Sequence, residues 1–342
     1  MPEIHFSAFE KFFTVPDKIV KLVNFHAKNG DYMRNFFGEQ FAYGHREILL
    51  KYSGIDFSAQ LLGTLQHGVL GYKQVEEWLS PRYMSGRKSF YWVYSHESEK
   101  LGKTQGHKNV VAIGAPWLYL RKSVIDIPTA DQKEDRVLVM PSHSQAVYVS
   151  KAVKFEKRQQ ARAFREVVGS KNATVCLHAI DFCDPELIEA YVDEEFDIIC
   201  IGSSSFYPAW TEAGNRIGSL GKLMRLMGTH SHMLTNSYGS HLFYAIDMGM
   251  SIGVYPEIGM DNGMDDISGR TKVFNEAEFN TRNLDFLKQN MSEALNQFTK
   301  SQKYRELSNE ILGLDAVMNQ TELAETLVYR RNVYPISGVQ PW

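Results

Sequence analysis

A short turn rich in serine, glycine and histidine carries the strongest chemical signal in the chain. It spans residues 235–243 (TNSYGSHLF), and the apolar residues after it predict that it opens directly into a helix. The first backbone N–H groups of a helix and its positive end suit a phosphate. Hydroxyl groups of Ser237 and Ser240 can add donors, and Gly239 and His241 belong to the same turn. The alternative is a plain N-cap by a serine, which any helix can use.

Two histidines elsewhere follow predicted strands. His67 stands before Gly68 at the end of a strand expected at 61–66, and His143 lies within Ser-His-Ser after a strand at 137–140. Histidine titrates near neutral pH, so His67 can take a proton from an attacking hydroxyl, and His143 can stabilise phosphate charge. A structural, hydrogen-bonded loop histidine is the alternative for both residues.

Possible metal ligands are sparse. Cys176, His178 and Cys183 lack a fourth partner for zinc, and the acidic residues in 261–266 lack the spacing of a calcium loop. We therefore expect no resident metal. Neither GxxxxGK[ST], GxGxxG nor GxSxG occurs, which argues against a P-loop, a standard dinucleotide site and a serine hydrolase.

Basic and imidazole groups precede the serine-rich turn. Arg216, Lys222 and Arg225 fall on a predicted helix, where we expect a solvated face, with Arg216 near enough to the helix start to reach an anionic ligand. His230 and His232 flank the start of the next strand. Without a third partner they are expected to be surface residues.

The elements that position these residues alternate in the second half of the chain. Strands are predicted at 137–140, 173–180, 197–201, 233–236 and 251–255, and helices at 157–168, from Asp184-Pro185 onward, at 217–227 and at 240–248. Strand–helix alternation with short connections predicts a doubly wound parallel sheet. Such sheets bind ligands at the carboxyl ends of their strands. That edge would gather the candidate donor ligands His143, Ser144, Ser204, Ser237, Gly239, Ser240, His241 and Glu257, the last for a ribose hydroxyl.

The rest of the chain is less regular. Residues 1–52 look helical and aromatic, strands are predicted at 61–66, 90–94 and 110–113, a linker at 121–135, and helices at 277–301 and 305–327. We expect an N-terminal α/β domain over 1–125, a C-terminal Rossmann-like domain over 126–275 and a helical extension over 276–342. Most aromatic residues of the first half are expected in the core, and a minority are candidates for stacking on a glycan.

Composition limits the class of protein. A chain of 342 residues favours two domains, and its net charge of -3 argues against sequence-independent nucleic-acid binding. Three cysteines fit a reducing compartment. No secretory signal or membrane-spanning stretch is apparent, so we expect a cytoplasmic protein. Contact with the inner membrane face and self-association stay open.

Five segments together resemble glycosyltransferases of bacterial capsule and lipopolysaccharide clusters. They are residues 65–68, 91–95, 113–119, 140–144 and 235–245, and the resemblance covers about 60–255. It implies a GT-B-like fold, with two Rossmann-like domains facing a cleft and a nucleotide-activated sugar held mainly by the C-terminal domain. A glycan or lipid-linked glycan would be the acceptor.

A looser likeness to the CDP-glycerol glycerophosphotransferases of teichoic acid synthesis assigns roles to residues. It implies that His67 is the general base, that His143 contacts the donor phosphates, and that Ser237, Gly239 and Ser240 hold them. That family has Asp-Tyr-Ser-Ser where this chain has NSYGSH, so the transferred group stays open. The function expected is metal-independent glycosyl transfer. Glycerophosphotransfer, sugar-nucleotide epimerisation and an inactive scaffold are the alternatives.

Overall fold

The computed structural model describes residues 4–5, 43–56, 61, 63–66, 68–69, 90–142, 157–182, 184–201, 218–258 and 276–328. Its strands are β1 Ile4–His5, β2 Gly63–Leu65, β3 Phe90–Val93, β4 Val110–Ala112, β5 Val124–Ile125, β6 Glu134–Met140, β7 Asn172–Leu177, β8 Asp197–Cys200, β9 His230–Thr235, β10 Ser251–Val254 and β11 Thr299–Lys300. Its α-helices are α1 His45–Ser53, α2 His96–Thr104, α3 Pro116–Ser123, α4 Lys157–Val168, α5 Ala179–Phe182, α6 Pro185–Asp193, α7 Gly218–Thr229, α8 Ser240–Asp247, α9 Glu276–Asn290, α10 Arg305–Leu312 and α11 Gln320–Val328.

The larger sheet, here called the C-terminal sheet, has the strand order β11-β10-β9-β6-β7-β8. Strands β6 to β10 are parallel to their neighbours, and only β11 runs antiparallel. The chain builds β6, β7 and β8 outward in one direction, and then returns through α7 to place β9 on the other side of β6. This is the doubly wound arrangement that the sequence predicts, and the α/β fold class is confirmed.

Both faces of the C-terminal sheet are covered, as its nearly continuous apolar strands require. Alternate residues of β6 point to opposite sides: Val137 and Val139 pack with Phe164 of α4 and Tyr191 of α6, whereas Leu138 packs with the α7 and α8 side. All three β6 residues are completely buried. The middle of β6 therefore lies inside the molecule, and its carboxyl end, where Ser142 is exposed, is open to a ligand.

The smaller, N-terminal sheet is parallel, with the order β2-β3-β4. Helix α3 follows β4, begins with Pro116 at its first position, and is buried around most of its circumference. Its Trp117 ring stacks on Tyr244 of α8 at a centroid distance of 4.3 Å. One hydrophobic cluster runs from the N-terminal sheet across α3 and α8 to the C-terminal sheet.

The C-terminal helices pack back onto the N-terminal sheet. The Ala115 N–H donates to the Leu312 carbonyl at 2.8 Å, and the Met318 N–H donates to the Tyr119 hydroxyl at 3.0 Å. Between α10 and α11, Gly313 has a φ of 70° and lies against the backbone of Tyr94. These contacts attach the C-terminal helices to the end of β3 and to the start of α3.

Several predicted boundaries need correction. The strand predicted at 173–180 ends at Leu177, because the Phe182 N–H donates to the His178 carbonyl and the chain coils into α5. The linker predicted at 121–135 begins too early, since α3 continues to Ser123 and β5 follows at once. The start of α6 is confirmed: the Asp184 side chain accepts from the second and third backbone N–H groups of the helix.

The C-terminal helices are also shorter than predicted. Instead of one helix over 277–301, α9 ends at Asn290 and the chain forms a 3-10 turn and β11 before the next helix. Asn296, with a φ of 59°, makes the turn toward β11. Gly313 ends α10 in the left-handed conformation, so the helix predicted at 305–327 is two helices.

Candidate functional site

The strand order of the C-terminal sheet makes the carboxyl ends of β6 and β9 its topological switch point. These two strands are neighbours, but their crossover helices leave on opposite faces of the sheet, and open α/β sheets bind ligands at such a switch point. The two strand ends are tied together. The Thr235 hydroxyl donates to the Met140 carbonyl at 2.8 Å, and the Ser142 N–H donates to Asn236 Oδ1 at 2.7 Å.

Thr235 organises the serine-rich turn. It is completely buried, and its only hydroxyl proton is directed to Met140. Its oxygen therefore accepts from the Ser237 N–H at 3.2 Å and from Nε2 of His241 at 3.0 Å. This network assigns a proton to Nε2 and sets the orientation of the imidazole.

Gly239 precedes α8, and the lack of a side chain there makes room for the same imidazole. Its backbone is extended, with a φ of -179°, so any residue could adopt it. A Cβ at this position would lie 2.8 Å from Cε1 and 2.9 Å from Nδ1 of His241. The glycine thus allows the His241 ring to fold over the start of α8.

Ser240 is the first residue of α8 and contacts the other half of the chain. Its hydroxyl oxygen accepts from the Val69 N–H at 3.0 Å, and a Cβ on Gly68 would lie 3.4 Å from it. Ser240 also hydrogen-bonds the Tyr244 hydroxyl one turn later; burial raises the pKa of this tyrosine, and the bond from Ser240 partly offsets that shift. The candidate donor turn and the loop after β2 therefore meet at one side chain.

Glu257 lies at the same edge, after β10. It is exposed, and the Asn296 amide, assigned the orientation that satisfies its neighbours, donates from its nitrogen to the two carboxylate oxygens at 2.9 and 3.0 Å. Nearby, the Asn236 amide donates to the Ile258 carbonyl, so the loops after β9 and β10 are joined as well. A ribose hydroxyl binding Glu257 would share it with Asn296.

Four of the predicted site residues lie outside the described residues: His67, His143, Ser144 and Ser204. Arg216, Cys183 and the acidic residues of 261–266 lie outside them too. The described neighbours of His67 and His143 are nevertheless in place, since Val69 contacts Ser240 and Ser142 contacts Asn236. The five other predicted residues lie at the carboxyl edge of the C-terminal sheet: Ser237, Gly239, Ser240, His241 and Glu257.

The expectation that His230 is a surface residue is wrong. Its ring is 3% exposed within β9, Nδ1 donates to the Leu226 carbonyl at 2.8 Å, and Nε2 accepts from the Thr174 hydroxyl at 3.0 Å. Burial lowers its pKa to about 4, and the charge of Arg136 adds to that shift. His230 is a neutral structural residue. His232 is half-buried beside Phe298.

The solvated-face expectation is also wrong for Lys222. Its side chain is half-buried against the thiols of Cys176 and Cys200, and burial lowers its pKa. Burial raises the pKa of the Cys176 thiol, so this cysteine is not set up as a metal ligand. Among the residues that the structure describes, no three histidine, cysteine or acidic side chains cluster as a metal site would require. Within the same ranges, no helix has the length and apolar character needed to cross a membrane.

Three residues that shape this site lie in segments that the sequence analysis singles out, but it gives none of them a role. Thr235 and Asn236 are the last residue of β9 and the first after it, and their position at the end of a buried strand was the signal available. Gln66, directly after β2, has the same kind of position.

No protein-family model and no curated protein sequence match the chain. Three solved structures overlap with it at low similarity. UGT89C1 of Arabidopsis thaliana, complexed with UDP-L-rhamnose, is 11% identical, with a TM-score of 0.34 over 97% of this chain and 76% of its own. A glycosyltransferase from Rickettsia africae is 10% identical, with a TM-score of 0.29 over 92% of this chain and 88% of its own. Os79 of O. sativa, complexed with UDP and deoxynivalenol-3-glucoside, is 11% identical, with a TM-score of 0.29 over 92% and 67%.

Proposed function

We propose that this protein is a glycosyltransferase that takes a sugar from a nucleotide-activated donor. The observation that carries the proposal is the position of the serine-rich turn. It lies at the switch point of a doubly wound parallel sheet and opens into α8, a helix of eight residues. The helix N-terminus and the Ser237 and Ser240 hydroxyls suit a diphosphate. Since Nε2 of His241 already donates to Thr235, this side chain donates to a phosphate from Nδ1, as the imidazolium.

Donor binding is assigned to the C-terminal part, 126–275, and acceptor binding to the N-terminal part, 1–125. In the proposed reaction, His67 accepts the proton of an acceptor hydroxyl whose oxygen attacks the anomeric carbon of the donor sugar. The bond from that carbon to the phosphate oxygen breaks, and the nucleoside diphosphate leaves. The contact of Gly68 and Val69 with Ser240 supports this geometry, because it brings the residues next to His67 to the donor turn.

The leaving diphosphate needs charge stabilisation as the bond breaks. The groups proposed for this are hydroxyls, imidazoles and backbone N–H groups, with His143, Ser144 and Ser204 completing the set. We therefore propose transfer without a resident metal, which predicts a rate unchanged by EDTA. Surface polysaccharide or a lipid-linked glycan is the proposed acceptor.

Ligand-dependent melting tests the donor proposal. Binding to the native state raises the melting temperature by mass action, so CMP, CDP, UDP and GDP would each be compared at saturating concentration. We expect one nucleoside diphosphate to stabilise the wild-type protein. Ser237→Ala combined with His241→Ala should remove that shift, and Ser170→Ala, in the exposed turn that leads into β7 at the opposite edge of the sheet, should keep it. No stabilisation by any of them would overturn the proposal.

The transferred group is tested with the donor class identified in this way. Release of nucleoside diphosphate from a sugar nucleotide in the presence of a glycan acceptor would support glycosyl transfer. Release of CMP from CDP-glycerol would instead indicate glycerophosphotransfer. Interconversion of the sugar nucleotide without release would indicate an epimerase, and binding without turnover would indicate a scaffold.

A further inference from the structure

We infer that Gln66 is a positioning residue that, together with Ser240, holds the loop after β2 in place against the donor turn. This loop, residues 66–69, carries the candidate base, so the role of the bracing in catalysis rests on the proposed function. The bracing itself depends only on hydrogen bonds among described residues, and it can be measured without any activity.

Gln66 uses its backbone and both ends of its side chain. Its N–H donates to the Trp92 carbonyl at 2.8 Å, which continues the pairing of β2 with β3 by one residue. Its Oε1 accepts from the Tyr94 N–H at 3.0 Å, and its Nε2 donates to the Gly68 carbonyl at 2.9 Å. The site thus needs one acceptor and one donor on the same planar group, and an amide supplies both. Glutamate would lack the donor.

The strand end to which Gln66 is tied is itself fixed. The Tyr94 carbonyl accepts from the Gly114 N–H at 2.9 Å, and the Tyr94 side chain is completely buried. Gly313, from the C-terminal helices, packs directly on the same peptide group. The Gln66 amide is therefore anchored on a part of the fold that has little room to move.

The other end of the loop is anchored on α8. The chain turns at Gly68, whose φ is 75°, and the next N–H, that of Val69, donates to Ser240 Oγ. Gln66 thus binds the carbonyl of the peptide that joins Gly68 to Val69, and Ser240 binds the N–H of the same peptide. One anchor belongs to the N-terminal sheet and the second to the donor helix.

Two consequences follow for function. Loss of the Gln66 bonds should allow the loop to move while leaving the donor turn intact, so the chemical step should suffer more than donor binding. In addition, because Ser240 is both the first residue of α8 and the acceptor for the Val69 N–H, a diphosphate that engages α8 should change the protection of the Val69 amide. A residue with only a general structural role would produce neither effect.

The first test compares Gln66→Met with Gln105→Met, a matched change at the end of α2 that leaves the loop untouched. We expect kcat to fall on the order of 100-fold in Gln66→Met, with the dissociation constant of the nucleoside diphosphate within about twofold of wild type. Gln66→Glu, which retains an acceptor for Tyr94 but loses the donor to Gly68, should also be slow, and it serves if the methionine variant folds poorly. A wild-type kcat in both variants, or an equal loss of binding, would overturn the inference.

The second test needs no turnover. Hydrogen exchange at the Val69 amide should be faster in Gln66→Met and in Ser240→Ala than in wild type, and unchanged in Gln105→Met. If the wild-type protein transfers no sugar, the proposed function fails while this arm still judges the bracing. Unchanged exchange in both loop variants would show that Gln66 and Ser240 do not hold the loop.

Discussion

The indole nitrogen of Trp117 donates a hydrogen bond to the Asp247 carboxylate at 2.8 Å, and the same ring stacks on Tyr244 at an interplanar angle of 10°. Tyr244 and Asp247 lie on α8, whose first residue is Ser240. The helix that follows the serine-rich turn is thus held at its far end by α3 of the N-terminal part. The two halves of the chain meet along the length of α8.

Removing the indole N–H should weaken this joint. In Trp117→Phe the partly buried Asp247 carboxylate loses its donor, so we expect the free energy of unfolding to fall by about 1–3 kcal/mol in urea titrations. Asp247→Asn measures the other side of the pair. If the bond is responsible, the effect of Asp247→Asn should be smaller in the Trp117→Phe background, and simple addition of the two losses would contradict that origin.

Gly313 should tolerate no side chain. Its φ of 70° already disfavours other residues, and a Cβ would overlap the Tyr94 carbonyl oxygen and lie 2.5 Å from its carbon. We expect Gly313→Ala to lower the free energy of unfolding by at least about 3 kcal/mol, because backbone must shift.

Gly249 provides the matched control for that substitution. Its φ is 71°, yet nothing lies within 4 Å of its added Cβ. Gly249→Ala should therefore show the conformational cost alone, about 1–2 kcal/mol. Equal losses in the two alanine variants would mean that contact with Tyr94 contributes nothing.

The doubly wound sheet was readable from sequence because its signals are local. The hydrophobic pattern alternates between the periods of a strand and of a helix, and the residue types of Asp184-Pro185 alone predict a helix start. The serine-rich turn was recognised for the same reason. The hydrogen bond between Val69 and Ser240 joins residues that are 171 positions apart in the sequence, and no local pattern near either residue predicts it.

Long-range partners also explain the wrong expectations. His230 is buried and neutral because it bonds Leu226 on α7 and Thr174 on β7, which lies two strands away across β6. No local sequence pattern predicts the second contact. Gly313 looks like an ordinary residue within an apolar helical pattern. Its left-handed conformation and its packing on Tyr94 split the predicted helix in two.

His230 should make the fold sensitive to acid. Its pKa is about 4 in the folded state and 6.5 in the unfolded state, so the unfolded chain binds the proton first as pH falls. The stabilisation is present above pH 6.5 and is lost as pH drops from 6.5 to 4, by up to about 3 kcal/mol. Unfolding free energies across this range should fall less steeply in His230→Gln, and the exposed His96→Gln should keep the wild-type slope. Parallel curves for all three proteins would contradict the assignment.

Lys133 should make the free energy of unfolding depend on pH in the alkaline range. Burial, together with the charge of Arg121, lowers the pKa of Lys133 to about 8 from 10.5, although the charge of Asp247 acts against the shift. The Lys133 ammonium donates to the Met248 carbonyl. The folded state releases this proton first, so stability should rise between pH 8 and 10.5, by up to about 3 kcal/mol. The difference between wild type and Lys133→Met isolates this rise from the titration of tyrosines. A difference that does not change with pH would show that Lys133 keeps an ordinary pKa.

Substitution of Gly239 tests whether the serine-rich turn holds the His241 ring in place for the donor. Alanine fits its extended backbone, so Gly239→Ala should leave the melting temperature nearly unchanged. Its methyl group, however, would meet the His241 ring at 2.8 Å and force it away from the Thr235 hydroxyl. We expect nucleoside diphosphate affinity to fall about tenfold by calorimetry, equivalent to about 1.4 kcal/mol. His241→Ala should cause a similar loss, and the double variant should lose little more, because both changes remove the same group from the same place. Wild-type affinity in Gly239→Ala would mean that the His241 ring is not held for the donor. A double variant that binds much more weakly than either single variant would assign Gly239 a role of its own, as the point where the backbone contacts the phosphates.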